Sequence, residues 1–335
     1  MENIKRLDYL DVSKGIGILL VVLGHIYTMR PGINRSIPTV WIYSFHMPLF
    51  FIVSGILVKF TENKWTEQSF WQIFKSKFKR LMIPYFLFGM VSIILRCFLR
   101  GVSISNILWD AIYLFVLYGI EALWFLPALF IGEIMLIFML KAIKNKMATI
   151  LLVLGLFSFA IFIRDIDYNM ILLILSRAFI ALGFISVGYY SFNIINNTDM
   201  NVIYLLISFI INIFIAQYNG YVDLNNLVLN NVFLYVLNAI LGSFIVILAC
   251  KKTNIAFIKY LGQSSLIIMA LHQNIMYLFE KITGLSLYGY ITGLILFTIL
   301  TIIHITIIQL INNYLPWMIG KFKKKEKYIE EIAIT

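Results

Sequence analysis

The chain has 335 residues, 61% of them hydrophobic and only 13% charged, whereas soluble domains are about half apolar and about a quarter charged. That much apolar surface cannot be buried in a soluble fold of this size, so lipid must be part of its solvent. A net charge of +11 does not point to nucleic acid, because the Lys and Arg residues stand in short clusters between apolar runs, as in loops that face anionic headgroups.

Spanning helices need roughly 20 apolar residues. In chain order they are expected at about 9–28, 40–60, 81–99, 122–140, 147–163, 170–190, 202–218, 228–250, 262–280 and 287–312. The first run is too long for a cleavable signal peptide, and no small-residue cleavage site follows it. Between the second and third spans, Phe70, Trp71, Phe74 and Phe78 share a sector of about 100° and are flanked by Lys75, Lys77, Lys79 and Arg80. The segment 61–80 therefore reads as amphipathic and cytoplasmic, lying on the inner leaflet. The run ILWDAIYLFVLY (107–118) carries Asp110 and is too short to span. It reads as a re-entrant or interfacial helix capped by Ser105 or Asn106. Residues 319–335 form a basic tail.

The basic residues orient these spans. With the N-terminus inside, the cytoplasmic segments gather Lys5, Arg6, Lys59, Lys64, Lys75, Lys77, Lys79, Arg80, Lys141, Lys144, Lys146, Lys251, Lys252, Lys259 and the tail lysines. The opposite side holds Arg30, Arg35, Arg96, Arg100, Arg164 and Lys281. The alternation works with an even number of helices. The fold expected is thus all-α and integral to the membrane, one domain over 1–335, with about ten transmembrane helices and both termini cytoplasmic.

Ionisable groups inside spans are costly and mark function by default. They are Asp11, Lys14, His25, His46, Glu133, Arg177, His272 and His304, which include all four histidines of the chain. A lone intramembrane histidine is about as often a hydrogen-bonded bridge between helices. Lys14 and His25 are eleven residues apart, so on one helix they share a face but are separated by about 16.5 Å of rise. His46 lies at a depth similar to that of His25, with Pro48 close behind it to splay the chain around a cavity. A histidine is the natural base for drawing a proton from a sugar hydroxyl. Glu133 and Arg177 could pair with each other. Ser54-Gly55 reads as a close helix contact rather than a nucleophile. Cys97 and Cys250, both in apolar runs, make neither a disulfide framework nor a metal site, and no metal is expected.

Several of these residues fall in familiar motifs. RLDYLDVSKGIGILLVVLGH (6–25) resembles the signature of the acyltransferase-3 family of membrane-bound acyltransferases, an Arg or Lys followed after ten residues by His. FHMPLFFIVSGIL (45–57), KFKRLMIPYF (77–86), LWFL (123–126) and GQSSLIIMALH (262–272) are similar to later family segments in the same order. The resemblance implies ten core helices and a cytosolic acyl-CoA donor, most simply acetyl-CoA. It implies an acceptor on the far face, a polysaccharide or lipid-linked sugar of the cell envelope, and residence in a bacterial cytoplasmic (inner) membrane. It also implies that Lys14 and His25 form the catalytic pair, while Lys77 and Arg80 handle the CoA. The depth of His46 adds it to the catalytic residues. Arg177 is grouped with the donor-binding cations and, like Glu133, could line the acyl path. Lys replaces the commoner Arg at 14 and again at 77, giving a phosphate a point charge rather than a planar fork. The alternatives are a transporter or flippase for a sugar or lipid, which would show paired broken helices in two related halves, and an inactive assembly partner. A homo-oligomer is compatible with the sequence.

Overall fold

The computed structural model describes residues 7–29, 33–100, 103–164, 169–283 and 289–322. Lys5, Arg6, Arg30 and the tail from Lys323 onward lie outside those residues. The described chain is helical, with no strand beyond one isolated bridge between Asp223 and Val228. Its helices are α1 (Asp8–Thr28), α2 (Ile37–Tyr43), α3 (His46–Phe60), α4 (Glu62–Thr66), α5 (Phe70–Lys77), α6 (Ile83–Arg100), α7 (Ile104–Phe115), α8 (Phe125–Ala142), α9 (Lys146–Ile163), α10 (Met170–Asn197), α11 (Val202–Asn219), α12 (Val232–Lys251), α13 (Ala256–Gln263), α14 (Ser265–Thr283) and α15 (Tyr290–Tyr314).

Among the described residues, nine helices are long and apolar enough to cross a membrane. The protein is an all-α, multi-pass membrane protein. The remaining predicted span, α14, has 19 residues but stands outside the nine because His272, Gln273 and Asn274 interrupt its apolar run. Four successive helices, α9 to α12, start at asparagines. Asn145, Asn169, Asn201 and Asn231 each accept a hydrogen bond from a first-turn amide, meeting donors that no helical carbonyl can reach.

Two irregularities have local causes. The second span breaks at Ser44 and Phe45, and His46 opens α3, so Pro48 falls in a first turn where its missing amide costs little. The fourth predicted boundary differs in another way: α5 does not stand apart but runs through a π turn, Phe78–Met82, into α6, giving one span over Phe70–Phe98. Pro84 cannot donate to Arg80 and would crowd its carbonyl in a regular α-helix, and a widened turn relieves that clash. Ser69 caps α5 in a reciprocal box with Gln72. Helix α7 is capped by Ser103 rather than Ser105 or Asn106, its hydroxyl accepting from the Asn106 amide, and its Asp110 pairs with Arg96 of α6 at 3.1 Å.

Small residues set how closely the central helices cross. A Cβ on Gly55 of α3 would lie 1.8 Å from the Ile185 carbonyl oxygen of α10, and one on Gly188 would lie 2.0 Å from that of Ile52. Gly55 is therefore a contact residue, as expected of Ser54-Gly55. In the same manner α13 crosses α1 through Gly15 and Gly262, whose Cβ atoms would meet backbone oxygens at 2.1 and 1.8 Å. Backbone atoms cannot swing aside as side chains do, so Gly188→Ala is expected to cost about 1–3 kcal/mol, read as a lowered thermal midpoint in detergent. An unchanged midpoint would mean that α3 and α10 are not in this contact.

The alternation of helices gives the bundle two distinct ends. At one lie Lys14, Lys59, Lys141, Lys146, Lys251 and Arg80. At the other lie the C-terminal turn of α1, α7, the start of α10 and the α11–α12 loop.

Candidate active site

Four helices from three separate parts of the chain carry the four histidines: His25 from α1, His46 from α3 and His272 from α14 meet toward the second end, and His304 from α15 lies deeper, within electrostatic range of His272. The rings of His25 and His272 are 5.0 Å apart, and each histidine lies within electrostatic range of at least one other. Three of them share one device. His46 Nδ1 donates to the Ile42 carbonyl at 2.8 Å, His272 Nδ1 to Ile268 and Met269 at 3.1 and 2.9 Å, and His304 Nδ1 to Leu300 at 2.6 Å. Each proton is thereby held on Nδ1 by a carbonyl of the preceding turn, leaving the lone pair on Nε2. For His46 the break before α3 supplies the carbonyl, since its side chain bonds the oxygen that a continuous helix would offer to its amide. All three are buried, at 4, 1 and 1% exposed.

His25 departs from this pattern in both respects. It keeps partial exposure, and its Nδ1 is held by side chains: the Gln273 amide nitrogen at 3.1 Å and the Tyr43 hydroxyl at 3.4 Å. Tyr43 is fixed in turn by Thr28 at 3.2 Å and by ring contacts with His46 and Tyr221. Burial, and then the Asp223 carboxylate, push the Tyr221 phenol up to about 12, so it faces Tyr43 as a neutral group. With Gln273 donating, His25 carries its proton on Nε2. Turning the amide end for end would place Oε1, buried and otherwise without a partner, on an Nδ1–H and leave the Nε2 lone pair bare. The same heavy-atom arrangement therefore serves both tautomers, and in the second the ring can take a proton at Nε2 and return it from the same atom. Polar residues in α14 are costly in a membrane, and all three of its run are used: His272 and Gln273 at His25, and Asn274 donating to Ser92 of α6 at 2.8 Å.

The other predicted residues are not gathered there. Because α1 is one unbroken helix, Lys14 stays eleven residues from His25, at the opposite end. It pairs with Asp11 at 2.7 Å, and Gln263 of α13 donates to the same carboxylate. Lys77, Arg80 and Arg177 do not form one cluster. Lys77 is turned inward onto Glu133 of α8, 2.8 Å away, whose second oxygen accepts from Ser54. Arg80 is exposed on the π turn. Arg177 lies at the histidine end, donating to the carbonyls of Asn225 and Tyr118 at 2.8 Å each and lying over the Tyr118 and Trp124 rings. The proposed Glu133–Arg177 pair is thus replaced by Glu133–Lys77. A cavity of about 570 Å³ opens at the lysine end, lined by Lys59, Lys141, Lys144, Lys146, Tyr189 and Tyr190 among others.

Tyr43 and Gln273 carried no sequence signal of a site, and His304, an intramembrane histidine outside the family motifs, read as structural. The one available hint was the polar run 272–274 inside an apolar helix. Among the described residues, no group of three or more His, Cys, Asp or Glu side chains is arranged to hold a metal ion.

No curated protein and no solved structure gives a significant match to the chain. The profile of the acyltransferase-3 family, described as an acyltransferase domain, matches residues 7–311. That span takes in every helix of the histidine cluster, and the chain belongs to the acyltransferase-3 family.

Proposed function

We propose that the protein is an O-acyltransferase that moves an acetyl group from cytosolic acetyl-CoA to a hydroxyl of an extracytoplasmic polysaccharide or lipid-linked sugar. The reading further places it in a bacterial cytoplasmic membrane with both termini inside. The observation that carries it is His25, a single half-buried imidazole held by Gln273 and Tyr43 among three buried histidines. Family membership favours an enzyme over a transporter. The lysine-rich end supports a cytoplasmic assignment, since positive charge collects on that side.

On this reading His25 Nε2 takes the proton from the acceptor hydroxyl as its oxygen attacks the thioester carbonyl. Collapse of the tetrahedral adduct breaks the C–S bond, and the proton passes from the imidazolium to the departing thiolate. Gln273 and Tyr43 orient the ring throughout. The nucleotide of the donor stays at the lysine end, where Arg80 offers a cation to its phosphates. Its long thin arm reaches along α1, past Lys14, toward His25. Lys77 is satisfied by Glu133, so Arg80 is the stronger phosphate ligand of the two.

The test is thiol release from acetyl-CoA by the purified protein in sealed vesicles supplied with envelope glycan as acceptor. Release is expected only when the donor faces the lysine-rich end, and no release from either side would overturn the enzyme reading. Arg80→Ala is expected to weaken donor binding about 10- to 100-fold, the effect of one hydrogen bond to a charged group. Unchanged donor affinity in that variant would remove Arg80 from the donor site.

A further inference from the structure

At the histidine end a second cavity, of about 750 Å³, is bounded by α7, the end of α9, the start of α10 and the α11–α12 loop. Its volume lies in the range of small-ligand sites. Two tyrosines form one wall, Tyr113 and Tyr118, with ring centres 4.9 Å apart. Asn169, Asn226, Asn230 and Arg164 also line it.

The three amides are pre-set by the fold. Asn169 spends its Oδ1 capping α10. Asn226 donates its Nδ2 to Asp223 at 2.7 Å, and Asn230 donates its Nδ2 to the carbonyls of Asn219 and Tyr221. Each is held at one end, leaving Asn169 Nδ2 as a donor and the Oδ1 atoms of Asn226 and Asn230 as acceptors for a ligand. Arg177 ties the walls together, bonding Asn225 on the loop and Tyr118 opposite. The same loop reaches the active site, because Tyr221, five residues before Asn226, packs its ring 5.1 Å from that of Tyr43, which itself touches His25.

An aromatic ring beside fixed donors and acceptors, here Tyr113 with Tyr118 held behind it by Arg177, suits a pyranose ring with its flat C–H face and a rim of hydroxyls that each donate and accept. We infer that this cavity is the acceptor subsite, binding a neutral or amide-bearing sugar unit next to the one that is acylated at His25. The inference rests on the proposed acyltransferase reading, but its test does not. Binding of cellobiose and chitobiose to the full-length protein in nanodiscs, without any acyl donor, is measured by saturation-transfer NMR. At least one is expected to bind, roughly 3- to 10-fold more weakly to Tyr113→Ala, the loss typical of an aromatic contact, and more weakly to Asn226→Ala. The thermal midpoint and the affinity for acetyl-CoA are expected to be unchanged in both variants, which also shows that they fold. Binding of neither sugar, binding unaltered by both substitutions, or displacement by glycerophosphocholine would overturn the inference, the last by marking a lipid headgroup site. Sugar binding without thiol release would instead defeat the acyltransferase reading and leave the sugar site standing.

Discussion

His25→Ala is expected to lower acyl transfer by about 10²–10⁴-fold, the contribution of a positioned general acid–base, while the protein remains folded in the membrane. The size of the loss follows from the geometry. His46, His272 and His304 are buried with their protons clamped to backbone carbonyls, so none can move into the vacated place. Truncation removes only a partner of Gln273 and Tyr43, and Tyr43 keeps its bond to Thr28. Stability is therefore expected to change far less than activity. The measurement is acetyl-CoA turnover in vesicles beside a thermal melt of the same sample. Near-normal turnover would remove His25 from the reaction, and a collapse of the melt would make it a structural residue.

Glu133→Ala carries the largest expected effect on stability, about 3 kcal/mol or more. Breaking a buried pair from one side leaves the other charge uncompensated, which costs about 3–5 kcal/mol. The lower end applies here because Lys77 retains 23% side-chain exposure against 8% for Glu133, and a long side chain can turn back toward the headgroups. Ser54 also loses its acceptor. The double variant Lys77→Met with Glu133→Leu is expected to regain most of the loss, since neither desolvation penalty remains. A single variant as stable as the parent would show that the pair contributes nothing to holding α3, α5 and α8 together.

The Glu133–Lys77 pair also corrects how the cations read in the linear chain. Lys77 and Arg80 look alike in KFKR, and their spacing does not reveal that one faces a carboxylate on α8. Arg177 is the sharper case. Its place in an apolar run marked it as important, but one span has two ends, and only the packing of α10 against the α11–α12 loop put it with Tyr118 and Asn225 rather than with a donor phosphate.

What the sequence by itself determined was the class of the protein and the course of its helices. Apolar runs of about 20 residues need only the one-dimensional requirement that a backbone in lipid satisfy its own hydrogen bonds. The 11-residue separation of Lys14 and His25 likewise became a fixed distance once α1 was a single helix. Motifs in 6–60 were enough to name the family. The gathering of His25, Tyr43, His46, His272, Gln273 and His304 was decided only by tertiary structure, because it depends on how α1, α3, α14 and α15 cross. Close contacts help to set those crossings, such as Gly293 of α15 against Tyr27 of α1, residues more than two hundred positions apart. A helix pattern repeats every 3.6 residues and reports which face is apolar. It carries no record of which other helix will cover that face, and that choice made the site.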